Sequence, residues 1–323
     1  MTMVASPSVC QVAFSTIDLE TTYAWYRELF GFLPSGRTRI VRGPLFSRMV
    51  GLPKVATTIR FLVDKQDFFH FEMFRFERPE AKPMRTDWRP CDVGYSRLGL
   101  HVDDLDATLE RLRNAGVSTL ANPIGRVASR RVCVRDPEGV MVELMEEDPR
   151  VPSAPQRPRP EVPVAARSIT LSVPDLDRSR RFFVDALGMH EATGVVLHGP
   201  EHEALWGLPG ARSRSLLLWA GDFLVELVQY TDPVGKLRPE GYRVCDQGLT
   251  HIAVGFRDLA DFGAVYRRAI AAGYRSTWRP LHMLAVSALY LNDDQGFTVE
   301  MMMVRRWFDG FLGFRPKRHS KPL

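Results

Sequence analysis

The chain has 323 residues, of which 45% are hydrophobic and 25% are charged, and its formal net charge is +5 at pH 7. These values are ordinary for a soluble globular protein, and the length corresponds to two domains of common size. No apolar run approaches the roughly 20 residues of a membrane-spanning helix. We also find no signal peptide, CxxC pair or nucleic-acid-binding motif, so we expect a cytoplasmic protein without nucleic-acid or membrane partners.

The first predicted elements are a strand at 12–17 and a helix that follows Asp18-Leu19. A second unit of strand and helix begins at 100–105, and its leucines recur at helical spacing as far as Gly116, which suits a helix C-terminus. Near the midpoint, residues 148–163 are rich in proline. Because proline removes a backbone donor and disfavours helix, this stretch predicts a stiff, extended linker.

The segment after the linker repeats the segment before it. The matching pairs are 12–19 with 169–176, 71–74 with 225–228, and 136–143 with 293–300. An ordered series of matches at nearly constant offset indicates a duplication. Each half also repeats within itself, so the pattern of a strand, a helix and several strands occurs four times.

This organisation resembles the vicinal oxygen chelate superfamily, which includes glyoxalase I, bleomycin-resistance proteins and extradiol dioxygenases. One motif is a strand followed by Asp-Leu and a helix with two aromatics, and the other is Asp-Pro-x-Gly-x-x-x-Glu at 136–143. The resemblance implies an α+β fold in which four βαβββ modules pair into two glyoxalase-like domains with curved mixed sheets. We place these domains at 8–147 and 166–304, with the linker at 148–165 and a basic tail at 305–323.

Proteins of this family hold a metal ion with side chains from four positions per site. Within each half, those positions carry Gln11, Glu72, Arg97 and Glu143, and Ser168, Glu226, His251 and Glu300. Neither set is complete, because arginine is cationic and serine is a short, poor ligand. In glyoxalase-like members the opening module of one copy pairs with the closing module of the other. That pairing would give one full ligand set, composed of Gln11, Glu72, His251 and Glu300.

One nitrogen and three oxygen ligands suit a divalent ion such as Zn²⁺, Ni²⁺, Co²⁺, Fe²⁺ or Mn²⁺. The resemblance then implies a lyase or isomerase that stabilises an enediolate of a small substrate with adjacent oxygens. We expect Glu300 to act as the general base and Glu72 as the second acid–base group. Glu143 and Glu226 are expected not to bind metal, and Arg97 is expected to form an ion pair with Glu143. An anionic substrate would suit the arginines at 37, 39 and 42.

Two other functions stay open on this evidence. Tyr290 and His282 precede Glu300 as in the closing segment of extradiol dioxygenases, which makes both candidate catalytic residues of a ring-cleaving enzyme. However, Ser168 replaces the first histidine of the triad that such enzymes need. The third function is a metal-free protein that binds a small molecule or confers resistance. The segment 301–314 is expected to pack on its own chain, and a homodimer contact is the alternative.

Overall fold

Two mixed β-sheets form the framework of the protein, and a computed structural model describes residues 7–150 and 159–317. The strands in chain order are β1 (Ser8–Ser15), β2 (Leu33–Arg42), β3 (Ala56–Val63), β4 (His70–Arg78), β5 (Gly94–Val102), β6 (Arg131–Arg135), β7 (Met141–Met145), β8 (Val164–Ser172), β9 (His190–Glu191), β10 (Arg212–Ala220), β11 (Phe223–Asp232), β12 (Gly248–Phe256), β13 (Arg275–Ser276), β14 (Leu281–His282), β15 (Val286–Asn292) and β16 (Thr298–Val304). The helices are α1 (Leu19–Phe30), α2 (Pro44–Val50), α3 (Leu105–Asn114), α4 (Leu176–Arg180), α5 (Leu259–Ala271) and α6 (Asp309–Leu312). A π-helical turn at Arg181–Ala186 continues α4, and 3₁₀ turns span Pro200–Trp206 and Arg306–Phe308.

Each sheet combines strands from both halves of the chain. The first sheet has the order β13-β15-β16-β12-β1-β4-β3-β2, with β14 beside β15, and the second has the order β6-β7-β5-β8-β11-β10-β9. Antiparallel pairs join the halves at β1–β12 and at β5–β8. The opening module of one repeat therefore shares a sheet with the closing module of the other. The domain boundaries proposed above follow the sequence repeats, whereas each sheet draws on both repeats.

The aspartate of each repeated Asp-Leu pair caps a helix. The side chains of Asp18, Asp104, Asp175 and Asp258 accept hydrogen bonds from backbone N–H groups in the first turns of α1, α3, α4 and α5. Such caps satisfy donors that have no partner within the helix. The motif is therefore a helix-start signal that recurs once in each module.

Alternation along the strands separates two faces of the first sheet. Val12 and Phe14 point into the large core beneath the helices, whereas Ala13 joins a smaller cluster on the opposite face. Because successive side chains of a strand point to opposite faces, Gln11 shares the face of Ala13. We call this second face of the first sheet the cup.

Three regions bear on the predicted boundaries. The linker is described only in part, since residues 151–158 lie outside the described ranges, and β8 begins at Val164, two residues before the predicted domain. In the second module only β6 and β7 follow α3, apart from a single bridge between Ile124 and Arg131. The tail packs on its own chain as far as residue 317, and residues 318–323 are not among those described. Within the described ranges, no helix has the length and apolar character required to cross a membrane.

Candidate metal centre

Four neighbouring strands of the first sheet bring the predicted ligand residues together on the cup. Gln11 lies on β1, Glu72 on β4, His251 on β12 and Glu300 on β16. In the strand registers, Ala13 lies opposite both Glu72 and His251. Its methyl group is small enough to leave room for the longer side chains to converge above it. We call these four residues the first cluster.

The side chains of the first cluster lie close enough together to share one ion. The ligand atoms of Glu72, His251 and Glu300 all lie within 4.8 Å of one another. Gln11 Nε2 donates a hydrogen bond of 3.1 Å to Glu300 Oε2 and lies 3.5 Å from His251 Nε2. Neither carboxylate forms an ion pair with a lysine or arginine among residues 7–150 and 159–317.

A hydrogen bond to its neighbour Thr250 orients the imidazole of His251. Thr250 Oγ1 donates to the Ala13 carbonyl at 3.3 Å and lies 3.0 Å from His251 Nδ1. Since the hydroxyl proton is used on the carbonyl, Nδ1–H is the donor in the second contact, and Nε2 keeps its lone pair toward Glu300. A ligating histidine is commonly held in this way by a partner of its other ring nitrogen.

The electrostatics of the first cluster favour a bound cation. Gln11, His251 and Glu300 are buried, while Glu72 is partly exposed. Burial and the neighbouring Glu300 carboxylate raise the pKa of Glu72 well above its usual range. Two carboxylates that share a desolvated site cannot both ionise readily without a counter-charge. A dication between them would supply that charge, so the residues present fit a divalent metal.

A second cluster occupies the equivalent position in the second sheet. It contains the carboxylates of Glu143 and Glu226, together with Arg97 and an unexpected imidazole, that of His198. His198 Nε2 lies 2.7 Å from Glu143 Oε2, and its Nδ1 lies 2.9 Å from Glu226 Oε1. Arg97 Nη2 donates to Glu226 Oε2 at 3.0 Å, and Arg97 Nε lies 3.8 Å from Glu143 Oε2. The expected pairing of Arg97 with Glu143 is present at this longer distance, and the shorter contact is with Glu226.

The second cluster supplies its own positive charge. Burial alone would raise the pKa of Glu226, but His198 and Arg97 lower it to about 2. Against the same burial, His198, Arg131 and Arg97 also lower the pKa of Glu143, and the two carboxylates raise the pKa of His198. The two clusters therefore differ in charge balance: among the described residues, lysine, arginine or protonated histidine side chains neutralise the carboxylates of the second cluster but not those of the first.

The family model described as the Glyoxalase/Bleomycin resistance protein/Dioxygenase superfamily matches residues 9–144 and 166–301. The chain belongs to this superfamily. A point mutant of glyoxalase I from Zea mays is 19% identical, with 92% of each chain covered and a TM-score of 0.60. Glyoxalase I from Zea mays is 18% identical, again with 92% of each chain covered and a TM-score of 0.57. A candidate dioxygenase from Bacillus subtilis is 16% identical, with 93% of this chain and 86% of that chain covered and a TM-score of 0.59. At these identities the likeness shows the fold, and no curated protein sequence matches significantly.

The two residues suggested by dioxygenase members of the superfamily lie on different faces of the sheet. Tyr290 is opposite Glu300 in the register, and its ring centroid is 5.0 Å from that of His251. His282 is exposed, contacts Ser287 Oγ at 2.9 Å, and lies 6.2 Å from the ring of Phe262 in α5. β14 places His282 on the side of the helices, so the structure does not bring this predicted catalytic residue to the first cluster.

Sequence reasoning did not identify two histidines that contact the clusters. His70 Nε2 lies 2.7 Å from Gln11 Oε1, and His198 bridges the carboxylates of the second cluster. His70 precedes Glu72 by two residues on β4, so strand alternation alone could have placed it on the cup. His198 lies in a loop without a motif, and no local pattern predicts where that loop packs.

A separate cavity of about 270 Å³ contains none of the first-cluster residues. It lies between the connections 82–96 and 237–249, and Trp88, Tyr95 and Tyr242 contribute to its walls. This cavity is therefore separate from the candidate chemical centre of this superfamily member. The first cluster is reached instead from the side on which Glu72 is partly exposed.

Proposed function

We propose that the protein is a metal-dependent lyase or isomerase of the glyoxalase-like group, acting on a small substrate with two adjacent oxygens. The main support for this proposal is the difference in charge balance between the two clusters. At equivalent positions, Glu143 and Glu226 are neutralised by side-chain cations, whereas Glu72 and Glu300 have no such partner among the described residues. A divalent metal ion is typical of the superfamily.

Gln11, Glu72, His251 and Glu300 would hold the ion with one nitrogen and three oxygens, a set that suits Zn²⁺, Ni²⁺, Co²⁺, Fe²⁺ or Mn²⁺. When bound, the ion would supply Lewis acidity to the adjacent oxygens of the substrate. The lone pair on His251 Nε2 and the raised pKa of Glu72 both support this assignment.

We assign proton transfer first to Glu72. Of the two carboxylates, Glu72 is the one that solvent reaches, whereas Glu300 is only 4% exposed. A base must come within hydrogen-bond reach of the proton that it removes, and accessibility therefore favours Glu72. Glu300 becomes the second acid–base group, which reverses the order expected from the sequence. Tyr290 is buried beside both and would contact the substrate from the β15 side.

Arg39 supports an anionic substrate. Its guanidinium lies over the rings of Phe61 and Phe311, at 5.2 and 4.8 Å from their centroids, and donates to the Phe311 carbonyl. The charge of Arg39 also acts to lower the pKa of Glu72, against the larger effects of burial and Glu300. A carboxylate or phosphate on the substrate would find a cation beside the accessible side of the first cluster.

Hydrogen exchange tests the proposal whichever product the enzyme forms. Metal-loaded protein is incubated in D₂O with a panel of small 2-hydroxycarbonyl compounds, and loss of the proton next to the carbonyl is followed by NMR. Glu72→Gln should slow exchange by about 10²–10⁴-fold. Glu143→Gln, at the position equivalent to Glu300, is the matched control and should exchange at the wild-type rate once it is shown to be folded. Equal rates in wild type, Glu72→Gln and Glu300→Gln would contradict the proposal.

Ring cleavage is a second candidate, because Tyr290 lies beside His251 and the carboxylates as it would in an iron site. The first cluster has one histidine and two carboxylates as potential strong ligands, whereas the usual triad has two histidines. Oxygen consumption by the Fe²⁺-loaded protein with a catechol would favour ring cleavage. Exchange in the 2-hydroxycarbonyl panel without oxygen consumption would favour the lyase or isomerase.

A further inference from the structure

The segment that follows the matched superfamily residues packs on the cup. We call residues 305–317 the C-terminal segment; the family match ends at residue 301. Its hydrogen bonds reach widely separated parts of the chain: Arg159 Nη2 donates to the Phe314 carbonyl at 2.7 Å, Ser35 Oγ donates to the Gly313 carbonyl at 2.8 Å, and Lys317 N donates to the Pro34 carbonyl at 2.8 Å. These bonds fix the segment beside the first cluster.

The C-terminal segment holds the ring of His70 in place. Phe314 is fully buried, and its ring stacks on that of His70 with centroids 4.1 Å apart and planes 4° apart. Gly313 has a φ of +88°, and a Cβ at this position would lie 2.7 Å from the side chain of Phe61. Glycine is therefore required for the chain to turn over Phe61 and bring Phe314 onto the histidine.

His70 in turn contacts one end of the Gln11 amide. His70 Nε2 lies 2.7 Å from Gln11 Oε1, while Gln11 Nε2 at the other end faces Glu300 and His251. His70 is only 1% exposed, and a neutral imidazole carries a single N–H, on one ring nitrogen or the other. An amide has an oxygen at one end and a nitrogen at the other. The partner that holds one end therefore decides which atom the other end presents.

Two arrangements follow from this contact. In the structure, Nε2 of His70 donates to the Gln11 oxygen, and the amide NH₂ faces Glu300. In the other tautomer Nε2 accepts from the amide NH₂, and the amide oxygen faces His251 and Glu300. That tautomer carries its proton on Nδ1, which is buried without a hydrogen-bond partner among the described residues.

We propose that His70, held by the C-terminal segment, is a positioning residue that turns the Gln11 amide oxygen toward the metal ion. The inference rests on the proposed function, since it concerns the same site. It makes the C-terminal segment part of the metal centre, although the segment supplies no ligand. It also identifies a role for a histidine that lies too far from the carboxylates to be a ligand in the same set.

Metal affinity, measured by competition with a chelator for Co²⁺, tests the inference. His70→Phe keeps an aromatic ring for Phe314 to stack on but cannot hydrogen-bond Gln11, and it should weaken Co²⁺ binding by about 10–100-fold. Phe314→Ala should weaken binding in the same direction by loosening His70 from outside the site. Trp307→Ala is the matched control, because Trp307 is 65% exposed on the same segment, and it should bind as wild type does. Thermal melting of each variant shows whether it is folded.

A change at Gln11 separates positioning from a general structural effect. Gln11→Glu has an oxygen at either end of its side chain, so its orientation does not matter. In that background His70→Phe should leave Co²⁺ affinity and the visible Co²⁺ absorption unchanged. Equal weakening in both backgrounds would overturn the inference, as would wild-type affinity in His70→Phe. If the wild-type protein itself bound no Co²⁺ or other divalent ion, the proposed function would fail instead.

Discussion

Removing His198 should destabilise the protein through the charges that it leaves behind. His198→Ala takes away the imidazolium between Glu143 and Glu226, which are 0% and 4% exposed. The pKa of Glu226 is lowered from 4.5 to about 2 despite burial, chiefly by His198 and then by Arg97. A tenfold change in an acid dissociation constant corresponds to about 1.4 kcal/mol, so the net effect of burial and all partners favours the charged form by about 3 kcal/mol. Breaking a buried ion pair costs about 3–5 kcal/mol, which agrees.

Urea denaturation at pH 6 measures the effect. We expect the free energy of unfolding to fall by about 3 kcal/mol in His198→Ala. His190→Ala, at an exposed position, should change it by less than about 0.5 kcal/mol. The double variant His198→Ala/Glu226→Gln separates charge from packing. Glu226→Gln should cost less stability in the His198→Ala background than in the wild type, because Arg97 is then the only cation that still pairs with Glu226 among the described residues. If His198→Ala matched the control, or if Glu226→Gln cost as much stability in His198→Ala as in the wild type, the electrostatic account of the second cluster would be refuted.

Three further predictions follow. The difference in unfolding free energy between wild type and Glu226→Gln should be largest between about pH 5 and 6. It should decline in acid as Glu226, whose pKa is lowered to about 2, becomes protonated, and decline in alkali as His198, whose pKa is raised, loses its proton. Urea titrations at a series of pH values measure both declines. Divalent metal at 100 times its dissociation constant should stabilise the wild-type protein by about 2.7 kcal/mol but leave Glu300→Gln much less affected, as measured by unfolding with and without EDTA. Asp258→Ala, which removes the side-chain cap of α5, should cost about 1 kcal/mol of unfolding free energy without a change in Co²⁺ affinity.

The modules of the fold were predictable because their signals are local. Each Asp-Leu pair marks a helix start, and each aspartate caps its helix by hydrogen-bonding to residues two or three positions later. The turn before β7 is equally local: Asp136 Oδ1 accepts from the N–H groups of Glu138 and Val140. The same interactions recur at Asp293 in the second half. Local hydrogen bonds of this kind leave a pattern in the sequence that survives duplication.

The convergence of Gln11, Glu72, His251 and Glu300 was predictable because two of the eight ligand positions in the repeats carry residues that cannot serve as good ligands. Arg97 and Ser168 are incompatible with a ligand set, and pairing modules across the halves assigns both to the second sheet. Strand alternation then places each remaining candidate on one face.

Other features depend on how distant segments pack, and local patterns do not record such packing. His198 enters the second cluster from a loop, and Phe314 reaches His70 from beyond the repeats. His282 was a candidate catalytic residue, but its short strand beside β15 turns it toward α5. In each case the decisive contact joins residues whose relative placement only the tertiary structure determines.

The location of bound metal tests the central claim most directly. Crystals soaked in Mn²⁺ and measured for anomalous scattering should show a peak about 2.0–2.3 Å from side-chain atoms of Gln11, Glu72, His251 and Glu300. No peak should lie between Glu143 and Glu226, where His198 and Arg97 already neutralise the carboxylates. An empty first cluster at saturating Mn²⁺, or an ion bound in the second cluster instead, would contradict the account.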